Sequence, residues 1–242
     1  MNRLNILPAL TIFAALAFTL GGCGAGSKGK IQAPSPADTA RTISPYFTAG
    51  TNKWSLPDND GFIRRWLLLD PINKPNRSNT VFTDSYLRSV FTKEIFPGQF
   101  TGIPNDGDAV RAADQDLTWH ALEAGNFNVK LYRLAYGLGK QTYGVLFLGV
   151  TVVECTEEIK NVRLAAGSNS ASMWWVNGAE VLLLSGDRRM VMDDGLSKRI
   201  TLNKGKNIIR VAVINGPGMS DFCMRFLGDN GQPVKNISVS YK

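Results

Sequence analysis

The stretch MWWVNGAEV, residues 173–181, places two tryptophans directly before an Asn-Gly pair. Asn-Gly readily takes the two positive φ angles of a type I′ turn, so the flanking residues read as arms of a β-hairpin with Val176 opposite Ala179. Neighbouring residues of a strand point to opposite faces, so Trp174 and Trp175 cannot enter one core. Trp174 shares a face with Val176; Trp175 shares the other with Met173.

The same reading extends outward. VLFLGVTVVEC, VRLAAGS, ASMWWV, AEVLLL, KRITL, NIIRVAVIN and DFCMRFL are strand candidates separated at short spacing by Gly, Asn or Asp turns. In NIIRVAVIN, Ile208, Arg210, Ala212 and Ile214 alternate with Ile209, Val211 and Val213. Apolar residues on both faces place that strand centrally, between packed layers. FIRRWLLLDPI is a further strand, stopped by Pro71, and LTWHAL gives a short strand around Trp119. TDSYLRSVFTKEIFPG switches to helical spacing, with Thr83 or Asp84 as N-cap and Pro97-Gly98 as the stop. FNVKLYRLAYGLG also changes period, and Leu131, Leu134, Ala135 and Leu138 fit a helical turn. The expected fold is mainly β: a single antiparallel β-sandwich or jelly roll with one or two short helices. No internal repeat points to a propeller or solenoid.

The first residues have the form of an export signal: Arg3, an apolar run, then small residues ending at Cys23. LGGC resembles the lipobox of bacterial lipoproteins. That resemblance implies cleavage after Gly22, a diacylated Cys23, and an address at the bacterial cell envelope, at the periplasmic or surface face of the outer membrane. The expected organisation is a signal peptide over 1–22, a Gly-, Ser- and Pro-rich tether over 23–42, and a β-sandwich over 43–242. The formal net charge is +7. Its basic residues are scattered with no aromatic-interleaved stripe, so no nucleic-acid footprint is visible. Cys155 and Cys223 remain once Cys23 is assigned to lipid. An exported context permits a disulfide between them, and two buried thiols are the alternative.

Catalytic constellations are scarce. The chain has one histidine, His120, and no Gly-x-Ser-x-Gly elbow, which disfavours a serine hydrolase. Carboxylates are plentiful, but no pair is marked by sequence as facing a cleft. One histidine and separated cysteines disfavour zinc. No cofactor is expected; structural calcium is left open by the loops NDGDAV and MDDGLS.

From Phe62 to Leu227 the order of segments resembles the galactose-binding-like jelly-roll domains that accompany secreted bacterial polysaccharide-degrading enzymes, including carbohydrate esterases. The matching segments are WLLLDPI, LTWHAL, NVKLYRLAYGLG, GVLFLGVTVV, LAAGSNSASMWWVNGAEV, TLNKGKNIIRVAVIN and DFCMRFL. The resemblance implies carbohydrate as ligand and places Trp174 and Val176 toward the sandwich core. No catalytic module flanks the match. Sugar rings stack on aromatic faces and their hydroxyls need fixed polar partners. Trp175, Trp119, Asn177, Arg188 and Asp193 are therefore the leading carbohydrate-binding candidates, with Trp54 and Tyr143 as further rings. Trp175 is expected to be covered by the N-terminal segment or by a helix over 83–96. A protein-interaction subunit of an envelope complex is the alternative; a glycan esterase or hydrolase is less favoured.

Overall fold

The computed structural model describes residues 43–242 except 77 and 113. The expected signal, Cys23 and the tether to residue 42 lie outside the described residues. In chain order the strands are β1 (Phe47–Ala49), β2 (Arg65–Leu69), β3 (Ile72–Asn73), β4 (Ala109–Ala112), β5 (Gln115–Ala124), β6 (Val145–Cys155), β7 (Ile159–Asn169), β8 (Ala171–Val176), β9 (Ala179–Leu184), β10 (Gly195–Leu196), β11 (Ile200–Leu202), β12 (Gly205–Ile214), β13 (Asp221–Leu227) and β14 (Ile237–Ser240). Helix α1 spans Asp84–Phe91 and helix α2 spans Leu131–Gly137.

The hairpin forms as read. Asn177 and Gly178 have φ of 52° and 83°, and Val176 pairs with Ala179. The Asn177 side chain also ties the turn to its neighbour strand, accepting from Ile208 N–H at 2.9 Å and donating to Asn207 Oδ1 at 2.9 Å.

The larger sheet has the path β1-β5-β2-β6-β12-β8-β9, and β7 centres a smaller sheet with β10, β11 and β13. Ser170, at φ 73°, is the corner at which the chain leaves the smaller sheet for the larger. All pairings among these strands are antiparallel, and β12 lies between β6 and β8 as its two apolar faces require. The fold is an antiparallel β-sandwich that carries, among the described residues, the two short α-helices α1 and α2.

Alternation gives the larger sheet two buried faces. The inner face meets the smaller sheet: Trp66, Trp174, Ile209, Val211 and Val213 pack with Leu164, Phe222, Met224 and Phe226. At its centre Trp66, Trp174 and Phe222 meet edge to face, with ring centroids 5.0–6.1 Å apart, an arrangement favoured by the ring quadrupoles. Both indole N–H groups are satisfied, Trp66 by Ile63 O at 2.9 Å and Trp174 by Ser172 Oγ at 3.0 Å. The outer face, including Leu67, Leu148, Met173, Trp175 and Ile214, is covered by Leu87, Val90 and Phe91 of α1 and by Phe96.

Helix α1 starts where the sequence placed it, with Thr83 as N-cap accepting from Tyr86 N–H. It ends at Phe91, short of the expected Phe96. Beyond it, Gly98 N–H donates to Glu94 Oε1 and Ile95 N–H to Gln99 Oε1. These side chains satisfy the backbone in a loop conformation and compete with the helix.

Of the two alternatives for Cys155 and Cys223, the structure has the second: no bridge is formed, and both are buried free thiols. Alternation again explains it. Cys155 points into the core between the sheets, whereas Cys223 lies between the core-facing Phe222 and Met224 and so faces away, beneath the loop carrying Val191. Burial raises both thiols, Cys223 to about 12, so neither is a ready nucleophile.

Candidate functional site

The five residues singled out from sequence do not converge on an open site. Trp175 and Trp119 lie on the outer face of the larger sheet and are 7% and 4% exposed. Leu87, Val90 and Phe91 of α1 share the buried cluster of Trp175, and Phe100, in the loop beyond α1, adds a ring at 6.0 Å centroid to centroid from it. Phe96 of the same loop meets Trp119 edge-on at 6.4 Å. Asn177 is spent on the hairpin turn. Arg188 pairs with Asp194 and donates to Ser185 O at 3.4 Å. Asp193, at φ 54°, pairs with Arg225, whose guanidinium also lies 4.7 Å from the Phe62 ring centroid. These last three groups hold the loop of residues 187–194 in place.

His120 has an orienting acid. Its Nε2 is 2.9 Å from Asp70 Oδ1, and Lys140 Nζ is 3.4 Å from Asp70 Oδ2. Burial pushes the Asp70 carboxyl up, but the hydrogen bond and charge of His120, the charge of Lys140 and the Thr118 N–H outweigh it and hold the carboxyl below its ordinary value. Among the described residues no hydroxyl or thiol is hydrogen-bonded to His120, so the pair has no nucleophile to activate. No group of three His, Cys, Asp or Glu side chains among the described residues could hold a metal ion, the Asp-rich loops included. No helix among them is long and apolar enough to cross a membrane.

An open site lies elsewhere. Pro75, Asn76, Gln141, Tyr143, Gly144, Pro217 and Gly218 line a cleft of about 720 Å³. Beside it runs a row of three tyrosines. Tyr132 and Tyr136, one helical turn apart on α2, stack at 6.5 Å with 17° between planes, and Tyr143 stands 6.0 Å from Tyr132. Tyr136 is 67% and Tyr143 45% exposed. The phenol of Tyr143 is raised by the adjacent Tyr132 hydroxyl, so it stays protonated and able to donate across the neutral range.

The cleft is built by a buried amide and a glycine. Asn215, 1% exposed, accepts from Val145 N–H at 3.0 Å, and its Nδ2 donates to Thr142 O at 3.0 Å, to Gly218 O at 3.2 Å and to Ser220 Oγ. One side chain thus fixes both loops that carry the rim. Gly144 sits at φ 62°, and a Cβ there would come within 3.2 Å of Pro75 Cα and 3.3 Å of Asn76 N. Glycine suits this left-handed position and the close approach of the 74–76 segment, where Lys74 N–H donates to Gly144 O at 2.7 Å. Asn76 is held by Tyr86 Oη at 3.1 Å and by its own donation to Lys74 O at 2.7 Å. Gln141 donates to Tyr143 O at 3.1 Å, leaving its Oε1 available.

Among the described residues the cleft itself is lined by no charged side chain. It offers the Tyr143 ring and hydroxyl, amide groups and backbone carbonyls, with Tyr132 and Tyr136 continuing the aromatic row beside it. That equipment suits a neutral, polyhydroxylated ligand with flat C–H faces. Sequence alone marked only Tyr143 here; α2 carries the spacing that joins Tyr132 to Tyr136 at i and i+4.

No protein-family model and no curated protein matches the chain. Among solved structures it is similar to a PA14 sugar-binding domain from an RTX adhesin, at 10% identity and a TM-score of 0.43 over 74% of this chain and 100% of that one. It is also similar to the PA14 domain of the antifreeze protein MpAFP, at 15% identity and 0.41 over 77% and 92%. A β-glucosidase from Kluyveromyces marxianus is similar at 13% identity and 0.34, over 54% of this chain and 16% of that one. All three scores are too low for an argument about function to rest on them.

Proposed function

We propose that this chain is a non-catalytic carbohydrate-binding module on an envelope-anchored lipoprotein, and that it holds neutral glycan in the tyrosine-walled cleft for polysaccharide utilisation. The observation that carries this reading is the row Tyr136–Tyr132–Tyr143 alongside a cleft of about 720 Å³ that has no charged lining side chain among the described residues. Pyranose C–H faces stack on such rings, and sugar hydroxyls take the phenol and amide groups around them. The lipobox-like LGGC supports anchoring, and the ordered resemblance to galactose-binding-like jelly rolls supports carbohydrate as the ligand class.

The test is retardation in native gels cast with a panel of neutral polysaccharides. Retardation by at least one of them is expected, and unretarded migration in all overturns the reading. A protein-interaction role is the second reading, favoured by Val191, Met192 and Leu196, exposed apolar side chains in one stretch of loop and strand. A stoichiometric envelope protein that co-purifies with the wild type and is lost on Val191→Ser/Met192→Ser would establish it.

A further inference from the structure

A charged side chain lies buried in the outer face of the larger sheet without a counter-ion. Arg210, on β12 and 5% exposed, has no carboxylate within ion-pair distance among the described residues. Its Nε donates to Gln99 O at 3.3 Å and its Nη2 to Gly102 O at 2.6 Å. Burial alone lowers its pKa from the ordinary arginine value. Burying a guanidinium against two neutral carbonyls leaves much of its desolvation cost uncompensated.

Those carbonyls belong to the loop of residues 93–104, and the loop is bound to itself. Gln99 N–H donates to Phe96 O, Thr101 and Gly102 N–H to Gly98 O, Ile95 N–H to Gln99 Oε1, and Gly98 N–H to Glu94 Oε1. Among the described residues, the two bonds from Arg210 are its only hydrogen bonds to the sheet beneath. The rest of its hold is aromatic: Phe96 on Trp119 and Phe100 on Trp175. Beneath and beside the loop is free space. A cavity of about 240 Å³ bounded by Gln99, Gly102, Val110 and Trp119 shares Gln99, Trp119 and Val150 with a small void that reaches Trp175 and Arg210.

The geometry points to the loop as a displaceable cover over a second binding site, the Trp119–Arg210–Trp175 face, whose ligand is a sugar carrying a carboxylate, such as a uronate. Trp175 is the cross-strand partner of Arg210, so a guanidinium fork and an indole face stand side by side when the loop lifts. The fork matches a carboxylate in bidentate geometry, and the indoles accept the C–H face of the same sugar ring. The carboxylate supplies the counter-charge that the two loop carbonyls lack. Among the described residues Asp108 is the one carboxylate lining the cavity, and it is engaged by the backbone and side-chain N–H groups of Asn105.

The test is titration of the whole protein with oligogalacturonate, followed by tryptophan emission and by amide hydrogen exchange of residues 98–104. The methyl-esterified oligomer and inorganic phosphate serve as comparison ligands. Expected are an emission change and faster exchange in the loop with oligogalacturonate alone, and affinity about tenfold or more weaker in Arg210→Met. No emission change with oligogalacturonate, or an equal response to its methyl ester, overturns the proposal. An equal response to phosphate also overturns it, because the site would then take a bare oxyanion and not a sugar acid. If Arg210→Met does not fold, loop exchange in the wild-type protein decides: unchanged protection in saturating oligogalacturonate rejects displacement.

Discussion

Trp174 and Trp175 are adjacent in sequence and belong to different cores. Trp174 stands edge to face with Trp66 and Phe222 between the two sheets, and Trp175 lies on the opposite face of the same strand beneath Phe100. Their replacement should therefore have unequal consequences. Trp174→Ala removes a fully buried ring and should cost about 3–5 kcal/mol. Phe100→Ala removes a partly buried cover and should cost about 1–2 kcal/mol, with a red-shifted emission and greater acrylamide quenching from Trp175. Equal stability losses with unchanged emission would contradict this division.

The hairpin turn makes a second point. Gly178→Val places a β-branched residue at φ 83° and should lower stability by about 1 kcal/mol or more. Urea denaturation measures it, and an unchanged midpoint would show that the turn does not need a left-handed residue.

Acid sensitivity should carry opposite signs at two buried carboxylates. Asp70 is held below its ordinary 3.8 despite the opposing effect of burial, through His120 and Lys140. Its contribution is complete above 3.8 and is lost as pH falls through the lower folded value. Asp70→Asn should flatten that part of the stability profile. Asp221 is raised by burial, against the Asn128 hydrogen bond, the charge of Lys130 and the Asn169 N–H. It therefore costs stability at pH 7 and regains it as pH falls through its folded value toward 3.8. Asp221 Oδ1 and Asn128 Oδ1 are both buried without a partner. Asp221→Asn supplies a donor there and should stabilise the protein at pH 7 by about 1 kcal/mol. Thermal melts between acid and neutral pH check both signs.

The cysteines give a redox prediction. With Cys155 facing the core and Cys223 facing away, reducing agent should leave the melting temperature unchanged. Both thiols should resist an aromatic disulfide reagent until the protein unfolds; rapid labelling of either in the native state would contradict their burial.

How much of this was legible in sequence depends on whether the signal was local. The Asn177-Gly178 turn, the strand alternation that separates the two tryptophans, the central position of Ile208–Ile214 and the Thr83 cap each rest on residues a few positions apart, and each formed as read. Of the cover over Trp175 the helix was legible and Phe100 was not, because Phe100 lies in a loop whose Pro97-Gly98 signal marks a helix stop and says nothing of what the loop then packs upon. Beyond Tyr143, the tyrosine cleft was not legible for a related reason. Its walls come from residues near 75, 141 and 217, joined by the buried Asn215 amide, and only folding brings them together. Arg188 and Asp193 read as open polar groups because nothing local reveals their partners Asp194 and Arg225.

The cleft is most directly tested by calorimetric titration of a neutral oligosaccharide, chosen by gel retardation, into the wild-type protein and into Tyr136→Ala/Tyr143→Ala. Both side chains are exposed, so the double variant should melt as the wild type does. The account predicts saturable binding by the wild type and none detectable by the double variant. Equal affinity in the two proteins would contradict it.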